Sequence, residues 1–151
     1  MSKKILEALR SSPVFLDCTL RDGSYEVNFQ FDYNYTKGFC RQITKAGVKF
    51  VEVGHGVGLG ASRKGIGVAA EPDEKYMQAA AEGMHGGFWG MFCIPGIADL
   101  DDIDLAAKYG MDFIRVGVDL NDVDKLEPYL KRARENDLFV FTNFMKSYVS
   151  S

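Results

Sequence analysis

An arginine and an aspartate stand side by side in the stretch LDCTLRDGSYE, residues 16–26, where an apolar run gives way to glycine. An aspartate can supply a hard oxygen ligand to a divalent cation, and a neighbouring guanidinium can hold a carboxylate or stabilise an enolate oxygen as charge develops. If the strand stays extended through Arg21, its two-residue period places Asp17, Thr19 and Arg21 on one face, with Asp22 next to them. The pattern predicts a polar site here, with a structural ion pair or a loop cap as the alternative.

A glycine-rich stretch, VEVGHGVGLGASRKGIG, follows at residues 51–67. Glu52 and His55 close a predicted strand, and the glycines make the loop after it long and permissive. The stretch contains no GxxxxGK[ST] motif, and its glycines do not run as GxGxxG straight into a helix, so it indicates nucleotide binding only weakly. His55 fits a general base, a ligand or a hydrogen-bonded loop histidine equally well.

Polar side chains also close the later predicted strands. Arg115 and Asp119 fall in or just after the fourth strand, where either can face a site, although Arg115 fits an ion pair at the edge of the core equally well. Asn143 closes the fifth strand. The candidates for substrate binding are therefore Thr19, Glu52, Arg115 and Asn143.

A second enzymatic interpretation uses Lys146, in the stretch NFMKSY at the end of the fifth predicted strand. A lysine in an apolar setting can lose its proton and act as the Schiff-base nucleophile of a metal-free aldolase. His85, which precedes the third predicted strand at the opposite end of the sheet, is interpreted as structural.

Strands and helices must position these residues. Short β-branched or aromatic runs alternate with stretches of helical period, and this pattern predicts βαβ units and a parallel sheet. The predicted strands are Val14–Asp17, Lys49–Val53, Gly87–Cys93, Phe113–Val118 and Leu138–Asn143. Pro72 and acidic residues introduce a helix at roughly Asp73–Gly83, and Asp99 and Asn121 are predicted N-caps of the next two helices. In parallel α/β folds ligands lie at the carboxyl ends of the strands, where the candidate residues fall.

Five strands and four helices fit two architectures. One is a flavodoxin-like doubly wound sheet; the other is the N-terminal part, about five βα units, of a (β/α)₈ barrel that needs roughly 250 residues. The second is favoured because the apolar strand ending at Phe144 is followed by only seven residues and no closing helix. We predict a single domain, residues 1–151, that is an N-terminal fragment of a larger barrel.

Composition narrows the class of protein. The chain has 151 residues, 46% hydrophobic and 26% charged, with a net charge of −3 and scattered lysines and arginines, which argues against nucleic acid or anionic membrane as a partner. No apolar run approaches the roughly 18 residues of a membrane span, so a cytoplasmic protein is expected. Cys18, Cys40 and Cys93 form no CxxC pair and are predicted to be reduced, buried thiols.

Four stretches, LDCTLRDGS, VEVGHGVGLGAS, IPGI and FIRVGVD, together resemble the metal-dependent aldolase and lyase barrels. This hydroxymethylglutaryl-CoA lyase-like family, with its pyruvate carboxyltransferase domain, includes 4-hydroxy-2-oxovalerate aldolase and the isopropylmalate and homocitrate synthases. The resemblance runs from about Phe15 to Met145, and the glycine-rich loop makes it closest in pattern to 4-hydroxy-2-oxovalerate aldolase.

The resemblance implies a (β/α)₈ barrel in which Asp22 binds a divalent metal ion, Mn, Mg, Zn or Co, and Arg21 stabilises a pyruvate enolate. It places further metal ligands in a His-x-His pair beyond residue 151, and the chain itself contains no HxH. Tyr25 stands where the aldolase carries a histidine, and a tyrosine there can donate a hydrogen bond or a proton. The catalytic candidates are thus Arg21, Tyr25 and His55.

These observations lead to two functional hypotheses. The first is a carbon–carbon lyase that cleaves or condenses a 2-oxo acid or an acyl-CoA through a metal-stabilised enolate, with this chain inactive by itself. The second is a non-catalytic half-barrel or doubly wound module that binds a partner or self-associates, because unpaired edge strands and uncovered apolar side chains invite pairing. A homo-oligomer is expected on the same ground.

Overall fold

The computed structural model describes residues 2–11 and 13–149, and five parallel strands form one sheet within that part of the chain. The strands follow one another in the order β1, Leu16–Asp17; β2, Phe50–Val53; β3, Phe88–Cys93; β4, Phe113–Asp119; and β5, Phe139–Met145. A doubly wound sheet reverses its strand order at a switch point, whereas barrel strands add sequentially. The flavodoxin-like alternative is therefore wrong, and the prediction of the N-terminal part of a barrel is confirmed.

Helices alternate with the strands. They are α1, Ser2–Ser11; α2, Tyr33–Lys45; α3, Asp73–Gly83; α4, Leu100–Lys108; and α5, Leu126–Glu135. Asp99 is the N-cap of α4, as predicted, and its N–H donates to the Asp102 carboxylate at 2.8 Å. The predicted N-cap at Asn121 is wrong, because a 3₁₀ segment, Leu120–Lys125, joins β4 to α5 and contains that residue.

The outer face of the sheet packs against α2 to α5. Side chains of adjacent strand residues point to opposite faces, so one set of alternating residues forms this layer. Its buried members include Val51, Met91, Ile114 and Val116, which pack with apolar side chains of the four helices in one cluster. No helix in the described part of the chain combines the length and the apolar character that a membrane span requires.

The inner face of the sheet carries aromatic side chains at the amino ends of the strands. Phe50 and Phe113 form a separate buried cluster there with Ile5 of α1, so α1 covers the start of the inner face. Gly90 of β3 lies beside Phe113, and a Cβ built at Gly90 would be 2.4 Å from that ring. The space left by this glycine lets the phenylalanine fill the lower layer and leaves the carboxyl ends free for polar residues.

The three cysteines are free thiols, as predicted. Cys40 and Cys93 are buried, and Cys18 is half-buried on the inner face, so the prediction of burial holds in full for two of the three. Burial raises the pKa of the Cys18 thiol to about 11, which leaves it protonated at neutral pH.

Candidate functional site

The turn after β1 places the first candidate residues. β1 ends at Asp17, and the backbone N–H groups of Arg21 and Asp22 then both donate to the Cys18 carbonyl, at 3.1 and 2.7 Å. The Asp17 carboxylate is occupied by Thr19, whose backbone N–H donates to it at 2.9 Å and whose hydroxyl donates at 3.1 Å. The predicted extended row of Asp17, Thr19 and Arg21 is therefore wrong, because the chain turns before the alternation can continue.

Arg21 meets a buried carboxylate on the inner face. Glu52 is 0% exposed, and Arg21 Nε donates to its Oε2 at 2.7 Å. Arg115, on β4, binds the same carboxylate in a bidentate arrangement, with Nε 2.9 Å from Oε1 and Nη2 2.7 Å from Oε2. Removing a carboxylate from water is costly unless cations compensate it, and two guanidinium groups do so here. The three side chains leave one net positive charge at the carboxyl end of the sheet.

Electrostatics keep the Arg21 guanidinium charged. Burial is the largest single effect and lowers its pKa, but the interactions with Glu52, Asp22 and Cys18 together raise it by more, so the net shift is upward. Both guanidinium groups also lie against the ring of Phe92, with Cζ 5.0 Å (Arg21) and 4.8 Å (Arg115) from its centroid. Phe92 is a site residue that no sequence motif indicates, although its two-residue offset from Gly90 on β3 places it on the inner face.

Each arginine retains an unused donor nitrogen. Arg21 Nη1 donates to Asp22 Oδ1 at 2.8 Å and to the Gly56 carbonyl at 3.2 Å, while its Nη2 has no hydrogen bond to any residue in the described ranges. Arg115 Nη1 likewise has no hydrogen bond within those ranges. Two guanidinium nitrogens are thus available to an anionic ligand at this end of the sheet.

Asp22 is the most exposed member of the cluster, with its side chain 66% exposed. Its Oδ1 accepts from Arg21, and a hard oxygen ligand for a divalent cation remains available on the same carboxylate. Among the residues that the structure describes, no group of three or more histidine, cysteine or acidic side chains could hold a metal ion. Asp22 therefore fits one position of a metal site, and the described residues do not complete that site.

Tyr25 lies at the rim, in the 3₁₀ segment Asp22–Val27. Its side chain is exposed and makes an edge contact with Phe29, at 5.1 Å between ring centroids. Ser24 fixes the segment, since its hydroxyl donates to the Arg21 carbonyl at 2.7 Å. The phenol is therefore exposed in the segment that directly follows Arg21.

His55 is covered rather than open. The residue is 1% exposed, and its ring stacks on Phe29 at 4.0 Å between centroids. Nδ1 accepts from the Val57 N–H at 3.1 Å, and Nε2 has no well-formed hydrogen bond within the described ranges, although it lies near the Gly67 carbonyl. Burial lowers the pKa of His55 by more than that carbonyl raises it, so the neutral imidazole is favoured. A role as general base would require Phe29 to move.

The glycine-rich loop is held by side chains rather than open to phosphate. The Gly60 N–H donates to Asp73 Oδ2 at 2.7 Å, and Arg63 pairs with Asp99 at 2.9 Å and with Asp102 at 2.7 Å. A loop whose N–H groups are used internally offers few donors to a phosphate. The loop instead forms a fixed wall beside the site.

The remaining candidates divide between the inner face and the surface. Asn143 pairs in register with Gly117 on β4, which places it on the same face as Arg115. Lys146 donates to Asp119 at 2.6 Å, and this contact raises the pKa of the lysine, so the structure does not support the deprotonated amine of a Schiff-base mechanism. His85 is exposed and precedes β3, away from the arginines.

Comparisons with known proteins agree with this architecture. The chain is 34% identical over 145 residues to oxaloacetate decarboxylase of Mycobacterium tuberculosis, which covers 96% of this chain and 43% of the relative. It is 36% identical over 148 residues to 4-hydroxy-2-oxovalerate aldolase 2 of Rhodococcus jostii, covering 98% of this chain and 41% of the relative. The chain thus spans about two-fifths of the length of these relatives.

A solved structure shares the fold. The carboxyl transferase domain of Rhizobium etli pyruvate carboxylase, in complex with pyruvate and biocytin, matches 93% of this chain and 26% of that chain with a TM-score of 0.70 at 20% sequence identity. The model of the HMGL-like family matches residues 12–142, which is most of the sequence. The chain therefore belongs to the HMGL-like family.

Proposed function

We propose that this chain supplies the enolate-stabilising part of a carbon–carbon lyase that acts on a 2-oxo acid. The observation that carries the proposal is the pair of arginines on Glu52, each with one unused guanidinium nitrogen at the carboxyl end of the sheet. The relatives named oxaloacetate decarboxylase and 4-hydroxy-2-oxovalerate aldolase support a 2-oxo acid over an acyl-CoA.

The two arginines bind different groups of the substrate. The carboxylate of a 2-oxo acid accepts from one unused nitrogen, and the adjacent carbonyl oxygen accepts from the other. As the carbon–carbon bond breaks, its electron pair forms the C=C bond of the enolate and the carbonyl π pair moves onto this oxygen. A fixed cation there stabilises the developing enolate more than the starting ketone. Glu52 orients both arginines; this role replaces the predicted direct contact with substrate, because its carboxylate is buried and occupied.

Asp22 would hold a divalent metal ion together with ligands outside this chain. A cation bound there would act as a Lewis acid toward the substrate oxygens. Arg21 limits the rotation of Asp22 through their contact at 2.8 Å and leaves its other oxygen available to the metal.

Tyr25 and His55 favour decarboxylation over aldol cleavage as the reaction of this site. Aldol cleavage needs a base to remove the proton of the substrate hydroxyl, whereas loss of CO₂ from the carbon next to the ketone needs none. The enolate left by decarboxylation requires only a proton on that carbon, and a phenol is a proton donor at neutral pH. His55, the other candidate base, is covered by Phe29. Oxaloacetate is thus the favoured substrate.

A binding or self-associating module is the second candidate function. The edges β1 and β5 are unpaired in the described sheet, and Phe15 and Phe144 beside them are exposed. We propose that a longer barrel covers these edges and that the 151-residue chain alone is inactive.

The Arg21→Lys variant of the full-length protein tests the enzymatic proposal. Lysine presents all its donors from one nitrogen and cannot reproduce the planar fork that reaches Glu52, Asp22 and a substrate oxygen, so kcat/KM for oxaloacetate should fall by about 10²-fold. Pyruvate release is measured with oxaloacetate and, separately, with 4-hydroxy-2-oxovalerate.

Arg134→Lys, on the exposed surface of α5, is the matched control and should keep full activity. Turnover of both substrates by Arg21→Lys at the parental rate would refute the enolate role. If the parent turns over 4-hydroxy-2-oxovalerate faster than oxaloacetate, the preference for decarboxylation is refuted and the enolate role is not.

A further inference from the structure

Phe92 contacts both arginines through its aromatic face rather than through a charge. The residue is 4% exposed, and its ring lies about equally far from the two guanidinium carbons, at 5.0 and 4.8 Å. β3 stands between β2, which carries Glu52, and β4, where Arg115 pairs in register with Phe92. The ring is thus placed between the arginine of the β1 turn and the arginine of β4.

Phe92 is constrained both at its ring and at its backbone. A Cβ built at Gly117 would be 2.3 Å from Phe92 Cζ, so the ring occupies the space that a side chain on β4 would otherwise fill. The Phe92 carbonyl accepts from the Leu59 N–H at 2.9 Å, and a Cβ at Gly58 would be 2.5 Å from that carbonyl oxygen. Glycines on a neighbouring strand and in the loop therefore allow one close-packed placement of this residue.

A guanidinium needs more than one contact to be held in orientation. Glu52 binds Arg21 through Nε and binds Arg115 through Nε and Nη2. An aromatic face against each guanidinium restricts its tilt and leaves Arg21 Nη2 and Arg115 Nη1 free for a ligand. Without the ring, each arginine would keep its ion pair but could tilt about it. The distance between the two unused nitrogens would then vary.

We propose that Phe92 is a positioning residue that holds the two arginines at the spacing of a 2-oxo acid, so that they bind its carboxylate and its enolate oxygen as one unit. This inference rests on the proposed function. It predicts that Phe92 affects recognition of the enolate in particular, because only a ligand with two adjacent anionic oxygens requires both nitrogens in register.

The test uses oxalate, a planar dianion that resembles the enolate of pyruvate, as a probe of the full-length protein in buffer containing Mn²⁺. Calorimetry gives its Kd for the parent and for Phe92→Leu, which keeps an apolar side chain but removes the aromatic face. Gly117→Ala is the second variant, since its methyl group would displace the ring without changing Phe92 itself. Both should weaken oxalate binding at least tenfold and lower kcat for oxaloacetate more than they raise KM.

Ile114→Ala is the matched control, because Ile114 is buried on the outer face of β4, opposite the face that carries Arg115. It should lower the melting temperature and leave the Kd for oxalate within twofold of the parent. Equal losses of binding in Ile114→Ala and Phe92→Leu, or unchanged binding in Phe92→Leu and Gly117→Ala, would overturn the role of Phe92.

Two further variants, Arg21→Lys and Arg115→Lys, test the proposed enolate role separately from the role of Phe92. Loss of oxalate binding in these two variants but not in Phe92→Leu or Gly117→Ala would leave the enolate role standing and refute only the role of Phe92. Parental binding in both lysine variants would refute the enolate role itself.

Discussion

The chemistry of this protein depends on a few side chains whose environment sets their charge. Glu52 is buried and ionically paired with two arginines, so it serves to orient them. Truncating one partner of a buried ion pair leaves an uncompensated charge and typically costs about 3–5 kcal/mol. Substitutions at Glu52 therefore change stability and ligand binding together. Arg21→Lys, which keeps a cation beside Glu52, and Phe92→Leu allow the two effects to be measured separately.

His55 should make the stability of the protein depend on pH. Because burial lowers its pKa in the folded state, the unfolded chain takes up a proton at a higher pH than the folded chain does. The contribution of His55 is fully present above its unfolded pKa of about 6.5 and is lost as the pH falls through the folded pKa. The free energy of unfolding, measured by urea denaturation, should therefore fall on acidification from pH 7 to pH 5, by at most about 1.4 kcal/mol per pH unit from this one group.

The chain has only two histidines, so His85 provides the control. His55→Gln should remove part of the slope, whereas His85→Gln, at an exposed position, should keep it. Identical slopes in the parent and in His55→Gln would show that the carboxylates alone produce the pH dependence.

At the scale of strands and helices, the faces of the sheet determine which residues can meet. The strand register places three site residues, Glu52, Phe92 and Arg115, on the inner face. Glu52 pairs with Gly90, and Phe92 pairs with Arg115. Gly90 and Phe92 are two residues apart on β3 and therefore share that face. The aromatic layer below them closes the inner face toward α1. The arginines therefore face only the carboxyl ends of the strands.

Gly90→Ala should destabilise the protein. The added methyl group would lie 2.4 Å from the Phe113 ring and from its carbonyl oxygen, so the layer must shift, at a cost of about 1–3 kcal/mol in the free energy of unfolding. Gly38→Ala, at an exposed position in α2 with no atom near the new Cβ, should instead stabilise by about 0.5–1 kcal/mol. Denaturation of the two variants in parallel checks both signs, and an unchanged midpoint for Gly90→Ala would contradict the packing argument.

At the scale of the whole molecule, the sheet has two unpaired edges and an open inner face. Unpaired strands and exposed apolar side chains favour association with another chain or with further strands of the same chain. The curated relatives are more than twice as long as this chain, in keeping with our proposal that a longer barrel covers these edges.

The 151-residue chain alone should self-associate through β5. Phe144→Lys places a charge on that exposed edge and should shift the mass in solution toward the monomer, since edge charges oppose pairing. Val68→Lys, at an exposed apolar position in the glycine-rich loop, should not change the mass. Light scattering after size exclusion at micromolar concentration gives the result, and a monodisperse monomer for the parent would contradict self-association.

Much of this architecture follows from local patterns in the sequence. Short β-branched or aromatic runs predict the five strands, and residue type alone predicts the helix start at Asp99 and the glycine-rich loop around residue 60. Within a strand, the two-residue period predicts which residues share a face with Glu52 on β2 and with Arg115 on β4, because alternation is a local property of an extended chain. Residue type and position at the end of the first predicted strand, not alternation, make Arg21 and Asp22 candidate site residues.

Contacts between distant segments could not be read in this way. Arg21 reaches Glu52 only because three N–H groups converge on the Cys18 carbonyl and turn the chain, where the period predicted extended strand. Phe29 covers His55 from a segment 26 residues earlier, and Phe92 meets two arginines that lie on either side of it in the chain. Burial, charge compensation and ring packing depend on such long-range contacts, and they alone determine which of the polar residues can still reach a ligand.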